Sequence, residues 1–170
     1  VITEGIEECD RLLTQNEVFL SRTVGVGKLS AAEAIAYGCS GPILRASGVK
    51  EDVRRSDPYS LYPTFDFDIP VGQNGDCFDR YMVRMQEMHE SLKIVKQCLD
   101  RMPEGPIRTP VPRYPHFRVD PGEIFFHTEN PRGDYALYMI SKGGTEPYRM
   151  RLRSPCLCNL MALKPMLRDS

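Results

Sequence analysis

The 170-residue sequence has no tryptophan, three histidines and almost no net charge. Its 22 basic and 23 acidic residues leave a formal charge of −1. This balance argues against nucleic acid as the main partner, because nucleic-acid-binding domains carry a strongly basic face. No run approaches the ~18 consecutive apolar residues that suggest a membrane-spanning helix. The length is that of about one domain and suffices to bury a core.

The six cysteines lack the dense spacing of a secreted disulfide scaffold, which favours a reducing compartment. No Cys-x-x-Cys occurs, and Cys156 and Cys158 form the one close pair. A zinc site there would need two further ligands from elsewhere in the chain. Isolated thiols are more often small buried apolar groups. We therefore predict no metal site.

No pattern of catalytic residues is visible. Gly25–Lys28 superficially resembles a phosphate-binding loop, but Arg22 and Leu29 occupy the positions that require glycine and Ser or Thr. The histidines fall in separate predicted elements, and we assign no role to His89 or His116. The sequence therefore predicts no catalytic and no cofactor-binding residue within this chain.

Glycines, prolines and charged residues are concentrated between residues 41 and 62. Gly and Pro stop a helix from propagating, and the apolar residues among them exclude an ordinary solvated loop. Buried charges must be paired. We therefore predict a structural ion pair between Asp52 and Arg45 or Arg54. The alternative is that this segment forms an interface or a cavity wall in a larger assembly.

The clearest helix pattern runs from Cys77 to Met102, with Asp76 as its N-cap. Asp76 and Arg80 are four residues apart, a spacing that suits an ion pair. Apolar side chains step by three or four residues along one face. They are Phe78, Met82, Met85, Met88, Leu92, Val95, Leu99 and Met102. We expect this face to be too apolar for the chain to cover alone, leaving an exposed patch.

The remaining patterns predict an α+β fold with a helical body and a small antiparallel sheet. They indicate a helix from Ile2 to Phe19, a Ser30–Glu33 capping box before a short helix, and a strand from Phe65 to Ile69. Three antiparallel strands follow, then a last helix from Asn159. The predicted organisation is a helical segment at 1–102, a Pro-rich connector at 103–122, a β meander at 123–157 and the start of a truncated helix at 158–170.

The last predicted strand alternates apolar and basic residues. Arg149, Arg151 and Arg153 share one face. Such a face is usually solvated. An acidic neighbouring subunit or anionic headgroups remain the alternative.

Several ordered motifs resemble the 49-kDa subunit family of the proton-pumping NADH–quinone oxidoreductase, respiratory complex I. These motifs are Gly41-Pro42-x-Leu44-Arg45-Ala46-Ser47-Gly48-x3-Asp52-x-Arg54, Phe67-Asp68-Ile69-Pro70-Val71-Gly72-x2-Gly75-Asp76-x2-Asp79-Arg80, Pro131-Arg132-Gly133 and Pro147-Tyr148-Arg149. The match spans nearly the whole chain with many fixed spacings. The resemblance implies an internal fragment, with the family's quinone-headgroup His and Tyr upstream of it and an acidic C-terminal motif beyond it.

The resemblance also implies a function. The chain would help to wall the quinone chamber beside the small iron–sulfur subunit, while flavin, NADH and the iron–sulfur clusters would be bound by other subunits. It would be peripheral, on the cytoplasmic side of a bacterial inner membrane or the matrix side of the mitochondrial one, and inactive alone. Two alternatives remain: the large subunit of a membrane-bound nickel–iron hydrogenase, a relative of this family, and a non-catalytic interaction module.

Overall fold

The computed structural model describes residues 2–108, 110 and 117–168. Their fold is mixed α+β, as predicted. The helices are α1 (Ile2–Leu13), α2 (Glu17–Thr23), α3 (Ala31–Ala36), α4 (Pro42–Ala46), α5 (Val53–Ser56), α6 (Cys77–Asp100), α7 (Pro155–Met161) and α8 (Leu163–Met166), with a 3-10 turn at Tyr62–Thr64. The strands are β1 (Gly122–Asn130), β2 (Gly133–Ser141) and β3 (Arg149–Arg153). No helix among the described residues is long and apolar enough to cross a membrane.

Helix α6 forms the axis of the helical body. Its N-cap is Asp76, whose side chain accepts a hydrogen bond from the Asp79 amide at 2.8 Å, as predicted. The helix ends at Asp100, two residues earlier than the sequence pattern indicated. Helices α1, α2 and α4 all pack against α6. The long helix therefore positions the elements that carry the charged segment.

The first predicted helix, Ile2–Phe19, was wrong as one element, because the chain breaks into α1 and α2. Asn16 lies at the break, and its side-chain oxygen accepts hydrogen bonds from the amides of Val18 and Phe19. Asn competes well as an N-cap and starts a new helix where the apolar spacing alone suggests continuation. The predicted capping box is confirmed, since Ser30 and Glu33 bond reciprocally at the start of α3.

The predicted strand Phe65–Ile69 is absent, because this segment has no strand neighbour and instead follows α6. The Gln97 side chain accepts from the Asp66 amide at 2.8 Å and donates to the Asp66 carbonyl at 2.7 Å. Glu90 accepts from the Asp68 amide at 2.9 Å. Helix side chains thus satisfy backbone groups that a sheet ladder would otherwise satisfy.

The three strands form one antiparallel sheet in the order β1-β2-β3. The turn between β1 and β2 meets the start of α4, where Gly133 lies directly against Gly41, so a Cβ atom on either glycine would overlap the other segment. A small buried core is formed by Leu44 of α4 together with Leu29, Ala34, Cys39 and Ala162. The sheet is thereby fixed to the helical body at one end.

The last predicted helix, from Asn159 to Leu167, is two short helices. Helix α7 begins at Pro155, earlier than predicted, and the chain bends at Ala162 before α8. The predicted Pro-rich connector falls partly outside the described residues, and His116 lies among those outside.

Candidate functional site

The centre of the charged segment is Arg45, whose side chain is only 2% exposed. Its Nε and Nη2 atoms contact Glu87 Oε1 of α6 at 2.7 and 2.6 Å. Nη2 also donates to Glu129 Oε1 of β1 at 2.9 Å, and Nη1 donates to the Glu51 carbonyl at 2.8 Å. One guanidinium group therefore links α4, α6 and β1.

Asp52 lies beside both arginines that the sequence offered as partners, Arg45 and Arg54. Its carboxylate accepts from Arg54 Nε and Nη2 at 2.9 and 2.6 Å, a bidentate pair, and lies 3.6 Å from Arg45 Nη1. It also caps α5 by accepting from the Arg54 amide. Burial disfavours the charge of Arg54, but the hydrogen bond and charge of Asp52 outweigh burial and raise the pKa of Arg54.

Glu129 attaches strand β1 to the same segment through its backbone as well as its carboxylate. Its Oε2 accepts from the Val53 amide at 3.4 Å, and its own amide donates to the Tyr59 hydroxyl at 3.1 Å. Burial raises the pKa of Tyr59 to about 12, so the phenol is neutral, and its oxygen accepts the hydrogen bond from the Glu129 amide.

We define the charge cluster as Arg45, Asp52, Arg54, Glu87 and Glu129. It contains three carboxylates and two guanidinium groups. Burial raises the pKa of Glu87 and of Glu129, against the opposing effect of the Arg45 charge. The cluster contains no nucleophile with an adjacent base. The cluster therefore links four elements, α4, α5, α6 and β1, by electrostatic contacts.

Two cluster members, Glu87 and Glu129, were not predicted as partners of Arg45. A signal existed for Glu87, because Arg80, Arg84 and Glu87 follow helical spacing and form a charged row along α6. For Glu129 no local signal existed, since only the tertiary fold brings β1 to α4.

The predicted Asp76–Arg80 ion pair was wrong, because both side chains bind backbone groups instead. Arg80 donates to the carbonyls of Gly75 and Gly27, each at 2.7 Å. Asp76 accepts from the Gly25 amide at 2.8 Å while it caps α6. The two residues thus hold the loop after α2 against the start of α6, a function that the helix spacing alone does not reveal.

A cleft of about 680 Å³ opens beside the cluster. Its apolar wall comes from α1 and α6, and its polar wall includes four cluster members together with the β1–β2 turn. The lining includes Ile2, Ile6, Met88, Leu92 and Val95 on the apolar side and Arg45, Arg54, Glu87 and Glu129 on the polar side. The cluster is therefore buried under a partly apolar opening.

Comparison of the sequence with known proteins identifies the family of the chain. A family model described as respiratory-chain NADH dehydrogenase, 49 Kd subunit, matches residues 1–116 and 113–170. The chain belongs to this family.

Individual relatives agree with the family model, and all are named as the D component of NADH-quinone oxidoreductase. That of Wolbachia pipientis subsp. Culex pipiens (strain wPip) is 43% identical over 186 residues, covering 96% of this chain and 48% of the relative. The relative from Dehalococcoides mccartyi (strain ATCC BAA-2266 / KCTC 15142 / 195) is 48% identical, and the match covers 95% of this chain and 44% of the relative. The relative from Carboxydothermus hydrogenoformans is 45% identical, and the match covers 98% of this chain and 45% of the relative. The chain spans about half the length of these relatives.

The cysteine pair of this 49-kDa family member lies on α7. Cys156 is exposed, and Arg132 Nη1 lies 3.6 Å from its sulfur, which lowers the pKa of the thiol. Across residues 2–108, 110 and 117–168, no group of three or more His, Cys, Asp or Glu side chains could hold a metal ion. Cys156 is therefore an exposed thiol beside a guanidinium group.

The predicted basic face of β3 divides into two parts. Arg153 is bound inward, with Nη1 2.9 Å from Asp134 Oδ2 and Nη2 donating to the Gly38 carbonyl at 3.0 Å. Arg149 and Arg151 are exposed. The face is thus partly structural, and only its first two arginines point to solvent.

Proposed function

We propose that the chain is part of the 49-kDa subunit of an NADH–quinone oxidoreductase and helps to form the wall of its quinone-reduction chamber. The observation that carries this proposal is the family match along nearly the whole chain, with 43%, 48% and 45% identity to three relatives. The complex would be a proton-translocating enzyme of the respiratory chain. The small iron–sulfur subunit would be the main neighbour across the chamber.

The contribution of this chain would be rigidity rather than electron transfer. The charge cluster fixes α4, α5 and β1 to α6 through short, buried contacts, and Arg80 fixes the preceding loop in the same way. A chamber wall requires such preorganised support, since misplacement of a bound group by about 1 Å can greatly slow a reaction. Quinone would accept electrons at residues outside this chain, while FMN, NADH and the clusters would be held by other subunits.

The same proposal gives the location. The protein would be peripheral, on the cytoplasmic side of a bacterial inner membrane or the matrix side of the mitochondrial one, and the isolated chain would be inactive. No other function is favoured by a specific contact in the described residues.

A chimaeric protein tests the proposal. Residues 2–168 replace the matching segment of a bacterial 49-kDa homologue in a strain that lacks its own, and NADH oxidation by membranes is measured with quinone and with a soluble acceptor that takes electrons from flavin. We expect assembly of the complex and inhibitor-sensitive quinone reduction. Assembly with quinone reduction that is insensitive to quinone-site inhibitors would contradict the chamber role. A failure to assemble with the small iron–sulfur subunit would contradict the family role.

Photoaffinity labelling gives a second readout. A photoreactive quinone analogue should label the chimaeric 49-kDa protein, and excess unmodified quinone should remove the label. Labelling confined to other subunits would contradict a position at the chamber wall.

A further inference from the structure

His127 of β1 lies between two carboxylates. Its Nε2 atom is 2.9 Å from Asp57 Oδ2, at the end of α5, and its Nδ1 atom is 3.2 Å from Asp134 Oδ1 of β2. Arg153 of β3 is 2.9 Å from the other oxygen of Asp134. These are the charged groups that face the ring or its partner, and the Phe125 ring lies beside it at 5.6 Å between ring centroids.

Whether His127 can donate to both carboxylates depends on how many of its ring nitrogens carry a proton. A neutral imidazole has one N–H group, whereas the imidazolium ion has two. Only the protonated ring can therefore donate to Asp57 and Asp134 at once. In the neutral ring, one nitrogen presents a lone pair to a carboxylate, which is repulsive. The hydrogen bond to Asp57 raises the pKa of His127, burial opposes this effect, and the Asp134 charge adds to it.

The two carboxylates differ in what else holds them. Asp134 keeps Arg153 as a second partner whatever the state of the ring. The Asp57 side chain is 74% exposed, and among the described residues its carboxylate has only His127 as a hydrogen-bond or ion-pair partner. Loss of the imidazole proton therefore weakens the Asp57 contact first, because the exposed Asp57 carboxylate can rotate toward solvent and be hydrated there.

The contact attaches one end of the segment that also carries the charge cluster. Two residues after Asp57, the Tyr59 hydroxyl binds the Glu129 amide and its ring contacts Phe126 at 5.7 Å between centroids. We propose that His127 is a proton-operated clasp that fastens the Asp57–Tyr62 segment to strand β1 when protonated and loosens it when neutral. The clasp is independent of the quinone-chamber role.

The sign of the pH effect follows from linkage. A histidine with a raised pKa in the folded state contributes stability that is fully present below its ordinary value, about 6.5, and is lost as pH rises through the raised value. The segment is therefore held more tightly on the acidic side of neutrality. Burial also raises the pKa of Glu87 and Glu129, so the effect of His127 is separated from theirs by substituting the histidine itself.

Mass spectrometry can test the clasp in the complete protein or its complex. Exchange of the imidazole C2 hydrogen across about pH 5–9 gives the pKa of His127 separately from those of other histidines. We expect a value above about 6.5, lowered by about half a pH unit or more in Asp57→Asn. The matched control Asp66→Asn changes another exposed aspartate and should leave it unchanged. Equal values in the wild type and Asp57→Asn would overturn the proposal.

Backbone amide exchange reports the movement itself. After correction for base catalysis, peptides covering residues 57–62 should lose about threefold in protection as pH rises through the His127 transition, as expected for a half-unit pKa difference. His127→Gln should remove this pH dependence, and His89→Gln should retain it. If His127→Gln does not fold, the wild-type profile decides, and protection that is independent of pH between about 6 and 9 would refute the clasp.

Discussion

The two halves of helix α6 differ in what they bury. In the first half, Arg80 and Val83 are buried and Glu87 is mostly enclosed, although two of these three residues are charged. In the second half, Val95 is 52% and Leu99 is 64% exposed, although both are apolar. Within the described part of the chain, burial along this helix follows the availability of partners rather than the polarity of the side chain.

This difference separates two kinds of stabilisation. In the first half, Glu87 pairs with Arg45 of α4 and Arg80 donates to the backbone carbonyls of Gly27 and Gly75, so these charges are buried without being left unpaired. The second half offers an apolar face that the described residues leave largely uncovered, and an uncovered apolar face gains little from the hydrophobic effect. Variants in the first half should therefore affect folding, and variants in the second half should affect association.

The largest effect should come from Arg45→Met. The change leaves the carboxylates of Glu87 and Glu129 buried without their guanidinium partner, at a cost of roughly 3–5 kcal/mol in unfolding free energy. The loss should be smaller near pH 5 than at pH 7.5, because burial raises the pKa of both carboxylates and protonation removes the unpaired charge. Urea unfolding of Arg45→Met against the exposed control Arg151→Met measures the difference, and equal stabilities would refute the cluster's role.

Asp52→Ala should have the second largest effect and lower the unfolding free energy by roughly 3 kcal/mol, because it removes the bidentate partner of Arg54 and the cap of α5. The cost should be below that of Arg45→Met, because the Arg54 guanidinium also packs over the Phe67 ring, 4.7 Å from its centroid. Thermal unfolding is the measurement, and Asp66→Ala is the matched control at an exposed aspartate. A change no larger than that of the control would show that the pair contributes nothing.

Two glycine-to-alanine variants should change the unfolding free energy in opposite directions. Gly75 has φ of +65°, and a Cβ atom there would overlap the Leu29 carbonyl, so Gly75→Ala should destabilise by about 1–3 kcal/mol. Gly5 lies within α1 with open space around it, so Gly5→Ala should stabilise by about 0.5–1 kcal/mol. Chemical denaturation of both variants tests the contrast, and destabilisation by Gly5→Ala would show that α1 lacks this open space.

The smallest effect on stability should come from the exposed face of α6. Replacing Val95 and Leu99 by Lys should change the unfolding free energy by no more than about 0.5 kcal/mol, because more than half of each side chain is already exposed. The same variant should reduce hydrophobic-dye binding and self-association of the isolated chain, measured by light scattering. A monodisperse wild-type chain without dye binding would contradict the expected exposed patch.

Local patterns predicted the elements whose signals are local. The Asp76 cap, the Ser30–Glu33 capping box and the antiparallel sheet were all predicted correctly, since caps and strand alternation depend on a few neighbouring residues. The predictions of one continuous helix across Asn16 and of a strand at Phe65–Ile69 were wrong. At Asn16, the side-chain cap starts a new helix although the apolar spacing continues. At Phe65–Ile69, the apolar–polar alternation forms no strand because no neighbouring strand pairs with it.

The candidate site was predictable only in part. Asp52, Arg45 and Arg54 are close in sequence, so the need to pair buried charges indicated that they meet. Glu129 comes from another element, and no spacing rule connects it to Arg45. The Asp76–Arg80 prediction failed for a related reason, since a helix-surface rule assumes solvent where the fold instead presents backbone carbonyls.

The distance along the chain between Arg45 and Glu129 also has a consequence for the order of folding. Their contact closes a loop of 84 residues, whereas the Ser30–Glu33 capping box spans three. Long loops close late because their entropy must be offset by other contacts first. During synthesis, Arg45 therefore leaves the ribosome long before its last partner. Glu129→Gln should accelerate unfolding and hardly alter refolding, whereas Ser30→Ala should slow refolding, a contrast that stopped-flow kinetics can measure.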